Sequence, residues 1–321
     1  MPGLSADARV ILLLTAPLPV KEGTAAPPLT PSEYRRIAVI LRDLGRRPGD
    51  LLSPGSATVW EACETVVGFE RLDNLLMRDK ALGSVIGRWG AAGVVPVTRA
   101  DPGYPAVIKR RLGQDAPAVL WTAGDRSLLS RLPADSLAVV GPRRASDDAL
   151  RFARETGALC ARAGIAVVSG GARGVDSAAM QGALDAGGTA FGILPDSLAR
   201  RANEGGNRAL MREGRLALLS PFEPFSTFRA WQAMQRNRLI YACTRAALVA
   251  DAALRQGGTW AGASEELARS SGVPVWVRDL HGSAGLEGLK AMGAHAWPEP
   301  RTPEELREVI AADPRRDDAL F

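Results

Sequence analysis

The chain has 321 residues, of which 46% are hydrophobic and 23% are charged, and its formal net charge is +5. This composition excludes a disordered or fibrous chain and allows one large domain with a smaller one, and the basic balance favours an acidic partner. The cysteines Cys63, Cys160 and Cys243 stand singly, and the only histidines are His281 and His295. The chain therefore has few residues that could ligate zinc or form a Ser-His-Asp triad, and we expect no metal and no cofactor.

Helical patterns dominate residues 1–92. Val10–Leu14 is an apolar run that predicts a buried strand or the start of a helix, because it is too short to span a bilayer and no Lys/Arg cluster precedes it. Thr30, Pro31 and Glu33 form a capping box that begins an amphipathic helix. Further helical patterns cover residues 58–67, 72–77 and 82–89. We predict a small helical N-terminal module at 1–92 and a cytoplasmic protein with no membrane contact.

Short apolar strands alternate with helix-length connections between residues 93 and 297. The predicted strands cover residues 137–140, 165–168, 190–194, 216–219, 247–250 and 273–277, with edge strands at 94–97 and 118–121. Nearly continuous apolar strands are typical of a parallel sheet covered on both faces. The predicted fold is therefore α/β, an extended Rossmann-like and mostly parallel sheet with helices on both faces, in a domain spanning 93–297. Ligands bind beyond the carboxyl ends of the strands in such sheets.

Four motifs rich in glycine or arginine lie beside these strands. In chain order they are Gly141-Pro142-Arg143, Ser169-Gly170-Gly171-Ala172-Arg173-Gly174-Val175-Asp176, Gln235-Arg236-Asn237-Arg238 at the opening of a helical segment, and Gly257-Gly258-Thr259. A strand that ends at glycines and restarts as a helix leaves backbone amides for phosphate, and arginine adds a planar donor. We expect Asp176 to cap its helix rather than to act as a catalytic acid.

In this order the motifs resemble those of the DprA/Smf family of DNA-processing proteins. The family pattern is a Gly-x-Arg turn, a Ser-Gly-x-Ala-Arg-Gly-(Ile/Val)-Asp turn, an Arg-Asn-Arg-(Ile/Leu)-Ile segment and a Ser-Gly-(Ser/Thr) turn, and the resemblance covers roughly residues 85–280. It implies a single-stranded DNA-binding protein, not an enzyme, that protects incoming DNA in natural transformation, forms a homodimer and helps to load a RecA-type recombinase. The residues that it assigns to DNA or phosphate are Gly141, Arg143, Ser169, Gly170, Gly171, Arg173, Gly174, Arg236, Asn237, Arg238, Gly258 and Thr259.

The chain departs from the family pattern after Leu194. The family has a Gly-x-Gly turn and a downstream Tyr-Pro there, whereas this chain has Pro195-Asp196-Ser197. Proline removes an amide donor, which leaves phosphate contact at this turn open, with Arg200 and Arg201 as electrostatic compensation. Many members also carry a winged-helix module. We expect residues 298–321 to form one helix capped by Thr302 and a charged tail, without that module.

Other interpretations of the motifs stay open. Arg143 could pair with Asp147 or Asp148, Arg144 could be only a solvated neighbour, and Trp260 is more typical of a core residue than of a base-stacking one. The alternative function is a nucleotide-binding enzyme or sensor of a LOG-like Rossmann family, since Gly257-Gly258-Thr259 with Glu265 loosely matches its Pro-Gly-Gly-x-Gly-Thr-x-x-Glu turn. A basic groove favours DNA, and a closed pocket around a glutamate favours the enzyme.

Overall fold

The computed structural model describes residues 3–19, 26–132 and 135–312. The elements described before β1 (Val94–Thr98) are helical. These helices are α1 (Ala6–Thr15), α2 (Pro31–Asp43), α3 (Ala57–Val67), α4 (Phe69–Leu76) and α5 (Asp79–Ala91), with a 3₁₀ helix at Pro48–Leu52. The predicted capping box is present, since the Glu33 amide donates to Thr30 Oγ1 at 3.2 Å and the Thr30 amide donates to Glu33 Oε2 at 2.8 Å. Val10–Leu14 lies in a helix and is buried all round, because α4, the 3₁₀ helix and the adjoining sheet pack against it.

Strands and helices alternate through the rest of the described chain. In order they are β1 (Val94–Thr98), α6 (Ala106–Leu112), β2 (Val119–Gly124), β3 (Ser136–Val140), α7 (Asp147–Arg162), β4 (Ala166–Ser169), α8 (Val175–Asp185), β5 (Ala190–Ile193), α9 (Leu198–Asn203), α10 (Gly205–Arg212), β6 (Leu216–Ser220), α11 (Ala230–Ala242), β7 (Ala246–Val249), α12 (Gly257–Leu267), β8 (Val275–Val277), α13 (Ala284–Lys290), β9 (His295–Ala296) and α14 (Pro303–Ala311). Each predicted strand is present, within two residues at its ends except for 118–121, whose strand β2 continues three residues further to Gly124.

The described strands form one sheet in the order β1-β2-β6-β5-β4-β3-β7-β8-β9. Strands β3 to β9 are parallel to one another, whereas β2 is antiparallel to both β1 and β6, so the predicted mostly parallel sheet is confirmed. The prediction that 118–121 is an edge strand is wrong, because β2 pairs with β6 on its other side. One edge is β1, which contains Pro96, and the other is the two-residue strand β9, which the sequence did not predict.

Alternate residues of the strands enter two apolar cores. In β3, Leu137 and Val139 join a core with α1, α7, α8 and α14, whereas Ala138 and Val140 join a second core with α6, α11, α12 and α13. Burial on both faces explains why the strands read as continuous apolar runs. The chain passes from β3 to β4 on one side and later returns to β7 on the other, so the order reverses beside β3, where such sheets place ligands.

The predicted C-terminal helix is α14, in which the Glu305 amide donates to Thr302 Oγ1 at 3.2 Å. Arg307 Nε donates to the Ala163 carbonyl at 3.1 Å and ties α14 to the end of α7. The predicted charged tail, residues 313–321, lies outside the described residues, and the proposed division at residues 92 and 297 stays a prediction. Among the described helices, none combines the length and apolar character that a membrane span requires.

Candidate functional site

A cavity of about 590 Å³ opens where β3, β4 and β5 end. Its lining residues are Arg143, Arg144, Gly170, Gly171, Ala172, Arg173, Leu194, Pro195, Asp196, Arg200, Arg201, Phe228 and Arg236. Of these described residues, six are arginines and one, Asp196, is a carboxylate, so the cavity attracts anions. We call it the arginine cleft.

Arg143 is exposed in the arginine cleft, and its guanidinium carbon lies 4.9 Å from the centroid of the Phe228 ring. The alternative partner Asp148 is engaged elsewhere, since it pairs with Arg151 at 2.5 Å and with Arg278 at 2.6 Å. Within the described residues no carboxylate lies at ion-pair distance from Arg143. Its charge is therefore available to a ligand, and a cation over an aromatic ring leaves its outer N–H groups free to bind one.

Three further exposed arginines, Arg144, Arg173 and Arg200, have no ion-pair partner in the part of the chain that the structure describes. Arg201 differs from them because it pairs with Glu204 at 3.2 Å. The sequence indicated Arg144 as a solvated neighbour, and it is solvated, but it also lines the arginine cleft. Unpaired guanidinium groups that line the same cavity provide planar donors for the oxygens of a phosphate.

The turn between β4 and α8 is held together from inside. Asp176 is buried beneath it, and its Oδ2 accepts a hydrogen bond from the Gly170 amide at 3.1 Å. The expectation that Asp176 caps α8 is wrong, because the N-cap is Gly174 and the carboxylate turns towards the strand end instead. Ser169 is also buried, and its hydroxyl donates to the Val139 carbonyl at 2.6 Å. The Gly170 amide and the Ser169 hydroxyl thus serve the turn itself, and the arginines provide its ligand-facing donors.

Arg236 reaches the arginine cleft from the buried face of α11. Only 4% of it is exposed, and its Nε has no hydrogen-bond partner among the described residues. Burial lowers the pKa of Arg236 and raises the pKa of Asp176, and the opposite charge of each counteracts the shift of the other. A Cβ on Gly170 would lie 1.7 Å from Arg236 Nη1 and 2.6 Å from Asp176 Oδ2, so this approach requires glycine. The sequence placed Arg236 in the opening of a helix, whereas α11 begins six residues earlier.

Asn237, Arg238, Gly258 and Thr259 do not line the arginine cleft. Asn237 Nδ2 donates to the Gly258 carbonyl at 3.0 Å, and Arg238 forms an ion pair with Glu265. These contacts join α11 to α12, and Arg238 belongs to a salt-bridged helix face. Arg238 also borders a second cavity, of about 1000 Å³, which we call the helical-module cavity because α1 and α2 line it against the loop after β6.

Two of the predicted glycines shape the turns. Gly174 has φ of +90°, and a Cβ there would lie 2.3 Å from the Pro142 carbonyl oxygen. A Cβ on Gly141 would lie 2.6 Å from Val175 Cγ2. Both positions hold the β3 and β4 turns close together, which brings Arg143 and Arg173 to one cleft. The predicted residues that the structure brings together there are Arg143, Gly170, Gly171, Arg173 and Arg236.

The turn Pro195–Ser197 also lines the arginine cleft, but it offers few amides. Pro195 has no N–H, and the Ser197 amide donates to the Ser226 carbonyl at 3.0 Å. Asp196 instead contributes the carboxylate, while Arg200 and Arg201 follow on α9. Phe228 was missed entirely from the sequence, because it lies in a loop with no glycine or arginine motif of the family pattern.

The residues behind the alternative function are placed differently. Glu265 forms an ion pair with Arg238 and is not among the described residues that line either cavity. Trp260 packs against the second apolar core, as expected of a core residue. The alternative function expects a glutamate at the centre of a closed pocket. Among the described residues, Glu265 does not have that position.

The sheet and its cleft define a Rossmann-like protein with an arginine-lined site at the carboxyl ends of its strands. The model of the family DNA recombination-mediator protein A matches residues 96–302, and the chain belongs to this family. A Mycobacterium tuberculosis DNA processing protein DprA is 33% identical over 184 residues, which cover 56% of this chain and 46% of that protein. The match thus spans slightly under half the length of this curated relative.

Two solved structures share the fold. DNA processing protein A from Streptococcus pneumoniae superposes with a TM-score of 0.69 at 19% identity, covering 95% of this chain and 98% of that one. DNA processing protein A from Helicobacter pylori gives a TM-score of 0.51 at 24% identity, covering 68% of this chain and 94% of that one. The agreement over nearly the whole chain in the first case includes the helical N-terminal part as well as the sheet.

Proposed function

We propose that this protein binds single-stranded DNA in the arginine cleft, without catalysis, through Arg143, Arg173 and Arg236 together with Arg144 and Arg200. The observation that carries the proposal is the group of exposed arginines without carboxylate partners at the strand ends. Backbone neutralisation of this kind is independent of sequence. Family membership supports the proposal, as does the Helicobacter pylori relative, which is described as binding single-stranded DNA.

The wider role that we propose is protection of incoming DNA in the cytoplasm and loading of a RecA-type recombinase by a homodimer. The family's description as recombination mediators supports this role. A mediator has to hold a single strand without reading its bases, since the recombinase must act on any sequence. An open, basic cleft meets that requirement, whereas a recognition helix for the major groove would not.

Charge reversal tests the cleft directly. Arg143→Glu and Arg173→Glu each replace a free donor with a repelling charge, so each should weaken binding to a fluorescent oligothymidylate by about tenfold or more. Fluorescence anisotropy over a salt series measures this, and the salt dependence of the residual binding should be shallower because fewer counterions are released. Arg162→Glu is the matched control, since Arg162 is exposed at the C-terminal end of α7, just before β4 begins and away from the carboxyl ends of the strands.

Strand preference gives the second test. The wild-type protein should bind the single strand more tightly than a blunt duplex of the same length, because its arginines lie in turns around the cleft and not on a helix that could enter the major groove. Equal affinity for both would reduce the site to a general basic surface. Equal binding by wild-type protein and by Arg143→Glu and Arg173→Glu would place the DNA elsewhere.

A further inference from the structure

Three aromatic rings are exposed between β6 and the first turn of α11. Phe225, Phe228 and Trp231 are 36%, 48% and 54% exposed. Large apolar side chains that gather on one exposed segment mark a binding surface more often than scattered ones do. No part of the proposed phosphate binding in the arginine cleft requires these rings.

Arginine side chains accompany the rings. The Arg88 guanidinium carbon lies 3.8 Å from the Phe225 ring centroid, and that of Arg143 lies 4.9 Å from the Phe228 centroid. Phe222 meets Trp231 edge to face, with centroids 5.4 Å apart and planes at 89°, which fixes the indole while leaving it half exposed. Cations interleaved with aromatic rings suit the phosphates and bases of a single strand.

The rings connect the two cavities. Phe228 lines the arginine cleft, and Trp231, three residues further on, lines the helical-module cavity. The wall of that second cavity also carries arginines: Arg46 and Arg99 have no ion-pair partner among the described residues, whereas Arg35, Arg42 and Arg238 pair with Asp115, Asp43 and Glu265. A strand that leaves the arginine cleft past Phe228 therefore meets a second aromatic ring and then a second basic surface.

We propose that Phe228 and Trp231 form a base-stacking platform for single-stranded DNA that continues from the arginine cleft towards the helical-module cavity. The proposal rests on the proposed function and adds to it the path of the strand and the residues that contact its bases. Phe225 is outside the platform because it is not among the described residues that line either cavity, and because the Arg88 guanidinium lies closer to its ring than Arg143 lies to the ring of Phe228.

The experiment compares two oligomers of equal length and charge, an oligothymidylate and its abasic counterpart. Phe228→Ala and Trp231→Ala should each weaken binding of the oligothymidylate by about tenfold, the usual effect of losing one stacked base. Trp231→Ala should leave binding of the abasic oligomer unchanged, whereas Phe228→Ala, which also removes the ring beneath Arg143, should weaken it less than it weakens binding of the oligothymidylate. Trp231→Phe should restore most of the affinity. Phe69→Ala is the matched control, since Phe69 is 57% exposed and contacts Trp60 within the helical module.

Arg143→Glu separates this proposal from the proposed function, because it should weaken binding of both oligomers. Wild-type affinity for the oligothymidylate in Phe228→Ala and Trp231→Ala, with the Arg143→Glu loss intact, would overturn the platform alone. Failure of the wild-type protein to bind either oligomer would overturn both proposals. If the alanine variants instead change the oligomeric state in light scattering and keep their DNA affinity, the rings form a protein interface and the platform is wrong.

Discussion

Gly170 carries more of the site's geometry than its lack of a side chain suggests. It lies where the buried Arg236 and Asp176 converge, and a single methyl group there would have to displace the guanidinium. We expect Gly170→Ala to lower the free energy of unfolding by about 1–3 kcal/mol, as overpacking does, and to weaken DNA binding as well. Urea denaturation and anisotropy measure the two effects.

Gly205→Ala provides the control for that substitution. Gly205 opens α10, and a Cβ there would meet no atom within 4 Å. This variant should be neutral or more stable by about 0.5 kcal/mol, because alanine loses less backbone entropy on folding. A Gly170→Ala protein as stable as Gly205→Ala would show that Arg236 can leave its position without cost.

Asp176 and Arg236 are both buried, and we expect each charge to be tolerated there only because the other compensates it. Replacing one partner leaves the other charge uncompensated, so Asp176→Asn should destabilise the protein by about 3–5 kcal/mol. The double variant Asp176→Asn with Arg236→Met removes both charges and should lose less than the sum of the two single losses. A double-mutant cycle by urea denaturation checks this, and strict additivity would contradict the coupling.

At the scale of elements, α2 and α4 are joined by Arg71 and Glu33, whose Nη1 and Oε1 lie 2.6 Å apart. The hydrogen bond from Arg71 lowers the pKa of Glu33 from 4.5 to about 2. Because the folded-state pKa is depressed, the stabilisation is complete above the unfolded pKa near 4.5 and is lost as the pH falls towards 2. Glu33→Gln keeps a capping-box side chain but removes the charge, and it should cost about 1–2 kcal/mol at neutral pH.

The measurement is the difference in free energy of unfolding between wild type and Glu33→Gln as a function of pH. It should shrink below pH 4.5, because Glu33 of the unfolded chain becomes protonated there, whereas Glu33 of the folded protein keeps its charge until the pH approaches its pKa of about 2. Glu305→Gln is a comparable capping-box change in α14, for which the pKa of Glu305 is lowered by the backbone amides of Arg301 and Thr302 rather than by an ion pair. A pH-independent difference for Glu33→Gln would show that neither the ion pair nor the cap depends on the Glu33 charge.

Element starts were predictable where a side chain marks them. Thr30 and Thr302 both begin helices through capping boxes that the sequence displays. The start of α11 was not predictable in this way, because its N-cap is Arg229, which makes no side-chain capping hydrogen bond. The nature of Val10–Leu14 stayed open for a different reason: a run that is apolar on every side has no periodicity to separate a helix from a strand.

At the scale of the whole molecule, the helical module supports the loop after β6. Trp89 of α5 is fully buried, and its Nε1 donates to Glu223 Oε1 at 3.0 Å, while Glu223 Oε2 accepts from the Phe225 amide at 2.7 Å. Trp89→Phe should remove this support, lower stability by about 1–2 kcal/mol and speed hydrogen exchange across residues 221–229.

Trp60→Phe is the matched change, because Trp60 Nε1 donates to the Leu51 carbonyl at 2.9 Å inside the module. It should cost similar stability and leave exchange in the loop after β6 unaltered. If the two variants give the same exchange in that loop, the module does not brace it through Glu223.

Long-range pairing marks the limit of the sequence prediction for the whole fold. The alternation of strands and helices predicted the parallel sheet. The motifs after β3 and β4 predicted that Arg143 and Arg173 lie together at the carboxyl ends of the strands. The pairing of β2 with β6 and the arrival of Phe228 at the arginine cleft depend on contacts between segments about a hundred residues apart, for which local periodicity carries no signal. Asn237 and Arg238 were assigned to the DNA from motif position, and only the packing of α11 reveals that they face α12.

The two edges of the sheet also constrain how copies of this protein could associate. Pro96 has no N–H to offer an incoming strand, and β9 is too short to template one. Neither edge favours a sheet that runs continuously through two subunits or the open-ended polymerisation to which bare edges are prone. The proposed homodimer would therefore join through helices and loops, where a contact between identical patches closes on itself after two copies.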